Sequence, residues 1–160
     1  MRGAYSAAMA NCMQPAARAL CTVLLLALSG GAAAQPTNEA VLAVVNDFHA
    51  ALKTGDRVAV QRLLAPDVVI FEAGHAELSF DVYAEEHLGA DMDHAGATSR
   101  QILSQSVSRR GAAAWVVTEA HVTGTDEVHI GDSVMVETAV LEHDGRNWRI
   151  VHIHWSARAP

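Results

Sequence analysis

Two histidines spaced two apart on the closing strand are the first groups in this chain whose placement could do chemistry. In Trp148-Arg149-Ile150-Val151-His152-Ile153-His154-Trp155-Ser156, strict alternation puts His152 and His154 on one face with Trp148 and Ile150. Val151, Ile153 and Trp155 then share the other. Imidazoles set among apolar neighbours either line a polar pocket or are core histidines satisfied by hydrogen bonds, and the second reading also fits His49 in an early helix. Glu72 ends the β-branched run Val68-Val69-Ile70-Phe71-Glu72 and shares a face with Val68 and Ile70, so it is expected to point inward. A buried carboxyl is raised in pKa and suited to acid/base work, whereas a nearby cation or metal holds it ionised. A strand-end carboxylate reaching water is the plain alternative. Glu119 and His121 fall on one strand face beside Trp115 and Val117.

His87, Asp91 and His94 follow an i, i+4, i+7 spacing, which aligns them on one helical stripe able to present two ligands to a metal. Glu85, Glu86 and Asp93 on the same segment make a solvated polar face the competing reading. The sequence contains no HExxH pair, no glycine-rich phosphate loop after a strand and no serine in a nucleophile elbow. Both cysteines, Cys12 and Cys21, precede Ala32-Ala33-Ala34. A chain cleaved there offers a metal only nitrogen and oxygen donors, which suit Zn²⁺, Cu²⁺ or Fe²⁺.

The elements that must position these groups are readable from periodicity. Asn38 is expected to cap a helix carrying Val41, Leu42, Val45, Phe48, His49 and Leu52, ended by Thr54-Gly55. Asp56 caps a shorter helix that stops at Ala65-Pro66. A strand through Glu72 turns at Ala73-Gly74 into a short return over His75 to Ser79, and a third helix runs from Phe80 to about His94. Four antiparallel strands follow, near Thr98 to Ser108, Ala113 to Gly124, Ser133 to His143 and Trp148 to Ala157. Arg110-Gly111, Gly124-Thr125-Asp126, Gly131-Asp132 and Asp144-Gly145 supply the turns. Helices followed by a meander predict an α+β domain with helices on one side of a sheet.

The first 34 residues read as a secretory signal, residues 1–34, ahead of one domain over residues 35–160. Arg2 and Arg18 precede the apolar run Ala19 to Leu28, and Ala32-Ala33-Ala34 gives an A-x-A cleavage pattern before Gln35. The run falls short of the ~20 residues a spanning helix needs, so no membrane span is expected after cleavage and a periplasmic or secreted location follows. The net charge is −7, and it becomes more negative without Arg2 and Arg18. Nucleic acid is therefore excluded as a partner, since phosphate binding requires a concentrated basic surface.

The terminal W-R-I-x-x-x-H-W-S pattern after the His143-Asp144-Gly145-Arg146 turn, with the element order above, resembles a SnoaL-like domain of the nuclear transport factor 2-like superfamily over Asn38 to Ala157. The resemblance implies a cone-shaped fold in which a curved, mostly antiparallel sheet packs against three helices around a pocket. It also implies that the first strand borders the last and that the third helix covers part of the sheet. Glu72, His87, Asp91 and His154 would then converge as metal ligands, with Glu77 as a weaker member, and Glu72 and His154 would be the catalytic pair. Tyr83, Trp115, Glu119, His121, Trp148 and His152 would complete the pocket with Glu72, His87 and His154. Ketosteroid isomerases in the superfamily use an Asp base with a Tyr and a protonated Asp, and this chain departs from them: Tyr83 is the sole tyrosine after Ala34 and lies on the third helix.

The leading expectation is an exported domain that binds a small molecule or metal. An acid/base enzyme of isomerase, cyclase or hydrolase type using Glu72 and His154 is the second reading. A non-catalytic homodimer paired through Val151, Ile153 and Trp155 is the third.

Overall fold

The computed structural model describes residues 37–124 and 132–160. The proposed leader with Cys12 and Cys21, the expected first mature residue Gln35, and the turn signals at Thr125, Asp126 and Gly131 lie outside the described residues.

Helix α1 (Asn38–Thr54) begins one residue earlier than the capping expectation: the Thr37 hydroxyl, not Asn38, accepts from the Ala40 amide. It ends at Gly55, whose φ of 69° gives the left-handed cap. Helix α2 (Arg57–Leu63) is capped by the Asp56 carboxylate on the Ala59 amide at 2.9 Å. Strand β1 (Leu64–Glu72) starts straight from that helix and tolerates Pro66, and β2 (His75–Glu77) returns beside it across the Ala73-Gly74 turn.

The expected third helix is two helices. Helix α3 (Phe80–Glu86) is capped by Ser79, α4 (Leu88–Ala97) follows, and His87 stands between them at φ −123° and ψ −30°. The described residues therefore hold four helices where periodicity predicted three. An apolar stripe cannot register this break, because Tyr83, Leu88 and Met92 are all buried on the same core.

Strands β3 (Thr98–Arg110), β4 (Ala113–Gly124), β5 (Ser133–His143) and β6 (Trp148–Arg158) form the meander. The sheet order is β2-β1-β6-β5-β4-β3, antiparallel throughout except for the parallel β1–β6 pair. That crossover lets the chain's first and last strands meet at mid-sheet. The inner face carries Val68, Ile70, Ala114, Val116, Ala139, Leu141, Ile150 and Ile153, and Val41, Val45, Phe48 and Leu52 of α1 share their core. Phe48 stacks on Trp155 with ring centroids 6.1 Å apart.

One bulge changes the reading of β6. Val140 pairs with His152 and Leu141 with Ile150, so Val151 is an extra residue and the alternation reverses across it. Trp148, Ile150, Ile153 and Trp155 are consequently all buried. His152 and His154 do share a face, as expected, but it is the outer one, where they pair with Val69 and Phe71. The same reversal removes the proposed dimer surface, since Ile153 and Trp155 belong to the chain's own core. No helix among the described residues is long and apolar enough to cross a membrane.

Gly124 holds a close approach between strand ends. Its φ is +131°, and an added Cβ would lie 2.9 Å from the Ala97 carbonyl oxygen and 3.1 Å from the Thr98 Cα. Gly124→Ala should cost about 1–3 kcal/mol in urea unfolding, the usual range for a forced backbone conformation. Gly145→Ala, where φ is +94° but no atom lies within 4 Å, should cost less.

Candidate functional site

A cavity of about 320 Å³ opens between α1, α4 and the inner sheet face. Its apolar walls include Leu52, Val122, Met135 and Trp155, and its polar lining includes His49, Lys53, Glu72, Asp91, His94 and Arg100. Each polar group is set by local structure. Helix α1 turns His49 to the sheet one residue after the buried Phe48, alternation on β1 aims Glu72 inward beyond Val68 and Ile70, and β3 delivers Arg100 at its start, opposite Val122.

Glu137 of β5 ties together three residues that line the cavity, each from a different element. Its Oε2 lies 2.6 Å from His49 Nε2 and accepts the Trp155 indole N–H at 2.6 Å, while Oε1 is 3.9 Å from Arg100 Nη2. Glu137 is 1% exposed. Burial opposes its ionisation, but His49, Trp155 and Arg100 together outweigh that and hold the carboxyl below the usual glutamate value. Burial lowers the Arg100 pKa, and Glu137 counters it. Arg100 Nε and Nη2 are buried without a hydrogen-bond acceptor in the protein.

Glu72 and Asp91 line the same cavity and act on each other electrostatically. Burial pushes the Glu72 carboxyl up to about 7, reinforced by Asp91 and Glu77. Burial also raises Asp91, opposed by the hydrogen bond that its Oδ2 accepts from the Tyr83 hydroxyl at 2.7 Å. The fully buried Tyr83 is in turn held protonated by its burial and by that carboxylate. One cavity thus holds a carboxyl poised between its two protonation states and the histidine of a histidine–carboxylate pair, groups able to take up and deliver a proton.

The residues singled out from sequence divide between two faces. Glu72 and Asp91 line the cavity and Tyr83 supports it from behind. His154 does not join them. Glu72 registers with Trp155 on the inner face, and His154 registers with Phe71 on the outer one, its ring 6.4 Å from the Phe71 ring. His152 donates its Nδ1–H to the Val69 carbonyl at 2.8 Å. Trp115, Glu119 and His121 alternate with the buried Ala114, Val116 and Ala120, so they too lie on the outer face. Trp148 borders a separate hollow with Thr37, Arg62 and His143. His87 stands at the helix break with its Nδ1 2.6 Å from Glu77, and it remains close enough to Glu72 and Asp91 to oppose the burial that raises both carboxyls. The sheet therefore separates His154 from the other three members of the expected ligand set, Glu72, His87 and Asp91.

Glu137, Arg100 and Lys53 went unread in the sequence. A signal existed for Glu137: it shares one strand face with Met135, Ala139 and Leu141, so its carboxylate had to face the core. Arg100 carried none, because the burial of β3 is irregular.

The SnoaL-like domain model matches residues 41–160. The chain belongs to the SnoaL-like domain family. Among solved structures, a candidate ketosteroid isomerase from Shewanella frigidimarina is 33% identical, with a TM-score of 0.71 over 74% of this chain and 96% of that one. A nuclear transport factor 2-like superfamily protein from Salmonella enterica serovar Typhimurium is 20% identical, with a TM-score of 0.64 over 76% of this chain and 91% of that one. A CaMKII hub from S. rosetta is 23% identical, with a TM-score of 0.64 over 77% and 99%. No curated protein matches the chain. The α+β nuclear transport factor 2-like fold is thus shared by proteins of different kinds, and what this SnoaL-like domain does depends on its site rather than its fold.

Proposed function

We propose that this SnoaL-like domain binds a small organic molecule in the cavity between α1, α4 and the sheet. The observation that carries the reading is the cavity's composition: a wall of Leu52, Val122, Met135 and Trp155 faces a few convergent polar groups, the usual make-up of a small-molecule site. Arg100, whose Nε and Nη2 have no hydrogen-bond acceptor in the protein, suits a carboxylate or carbonyl oxygen, and the apolar wall suits a ring or short hydrocarbon body. Aromatic and alicyclic carboxylates should raise the melting temperature in proportion to concentration. Arg100→Gln should remove most of the effect, and Met135→Trp, which fills the wall, should remove it for every ligand. Equal stabilisation of wild type and both variants would place the binding elsewhere.

Acid/base catalysis is the second reading, favoured by the Glu72 carboxyl at about 7 in the same cavity as the His49–Glu137 pair. The partner of Glu72 in that chemistry is His49 rather than His154, which lies on the other face of the sheet.

Export rests on Ala32-Ala33-Ala34 after the apolar run, and the intact mass of protein secreted by an expressing cell should correspond to a chain starting at Gln35. A homodimer would use the outer sheet face, where Phe71, Val117 and Val136 are each about 40% exposed. Sedimentation should then give twice the monomer mass, with Val117→Glu returning it to monomer.

A further inference from the structure

We propose that Glu77, Glu86 and His87 form a divalent-metal site at the junction of β2, α3 and α4, separate from the organic-ligand cavity. Their donor atoms all lie within 4.8 Å of one another. Two carboxylates and an imidazole around one tetrahedral Zn²⁺ at bonds of about 2.0–2.2 Å would sit roughly 3.3–3.6 Å apart. Side-chain rotations at Glu86, which is exposed, and at His87, which is partly so, are enough to close that difference.

The state of Glu77 makes this more than a group of acidic side chains. Register opposite Ile70 puts it on the inner sheet face, where it is 2% exposed. Its Oε1 lies 2.6 Å from His87 Nδ1, yet that nitrogen has no aligned hydrogen-bond partner and Glu77 Oε2 has none at all. A buried carboxylate oxygen without a donor is costly, and a metal is one of the few partners that satisfies it. The backbone is arranged to the same end. The helix breaks at His87, which makes no side-chain cap for α4, and the freed imidazole turns to Glu77. His75, on the same short strand as Glu77, brings a second imidazole against His87, with ring centroids 5.4 Å apart.

The donor set has one imidazole nitrogen, two carboxylates and no thiolate, which favours Zn²⁺ or Co²⁺ over Cu⁺ and gives a borderline metal an advantage over Mg²⁺ or Ca²⁺. Three protein ligands leave a coordination position for water or a small anion.

The test uses the full chain, produced without an affinity tag and stripped with a chelator. Titration with Co²⁺ should produce the visible absorption bands of a low-symmetry site and saturate at one ion per chain, and Zn²⁺ should displace it. Glu86→Gln, a surface change that leaves the fold intact by circular dichroism, should weaken Zn²⁺ at least 10-fold, as should His87→Gln. His121→Ala, on the outer sheet face, should leave affinity unchanged. The proposal is overturned if wild type binds Zn²⁺ no more tightly than millimolar. It is equally overturned if Glu86→Gln and His87→Gln bind as wild type does, or if His121→Ala alone abolishes binding.

Discussion

Glu137→Ala should destabilise the domain by about 3–5 kcal/mol in equilibrium denaturation, the cost of removing one member of a buried charge network. The carboxylate is the shared acceptor for His49 and the Trp155 indole, so its loss strands two donors and also leaves space behind Trp155. Glu137→Gln keeps an acceptor for the indole and should cost less, about 1–3 kcal/mol. The same group sets an acid limb. Its folded pKa is lowered from 4.5, so the unfolded chain binds its proton first as pH falls. The stability it contributes is complete above pH 4.5 and is lost as pH drops through the lowered value. In Glu137→Gln the decline of stability below pH 4.5 should be visibly shallower than in wild type. Equal acid limbs in the two proteins would mean that Glu137 is not held ionised.

Glu72→Gln should have the opposite signature. The folded carboxyl is raised from 4.5 to about 7, so between those values the folded chain keeps a proton that the unfolded chain has released. Stability should therefore fall as pH rises across that window, and less steeply in Glu72→Gln, which has nothing there to titrate. Above pH 7 the variant should be the more stable protein. If Glu72 also moves protons in a reaction, the variant should lose at least 100-fold in turnover while still binding ligand, the typical contribution of a general acid or base. Urea midpoints from pH 4 to 9 check the first expectation. A variant less stable than wild type at pH 8 contradicts the burial of Glu72.

The amino-acid pattern carried the fold further than the site. Caps, glycines and period-2 runs placed β4 and β5 at their observed ends and put Glu72 on the inner face, because each of those signals is local. His154 was misplaced by a single residue, Val151, whose bulge reverses a face without leaving any mark in hydrophobicity. The helix break at His87 left no mark either, because Tyr83, Leu88 and Met92 conceal it. The Glu137 network was only half legible. Alternation turns its carboxylate inward, but its partners His49, Arg100 and Trp155 come from α1, β3 and β6, and nothing in a one-dimensional pattern says that these three strangers share one oxygen pair.

The central claim is that the inner-face cavity, and not the histidine-bearing outer face, is where this SnoaL-like domain meets a small molecule. A ligand screen by NMR tests it most directly, following the Trp155 indole N–H, the Glu72 carboxyl carbon and the His152 and His154 ring resonances in one sample. Small aromatic and alicyclic carboxylates should shift Trp155 and Glu72 together and leave His152 and His154 unmoved, and Met135→Trp should abolish the shifts. Ligands that move His152 and His154 while Trp155 and Glu72 stay still, or that act equally on the Met135→Trp chain, would contradict it.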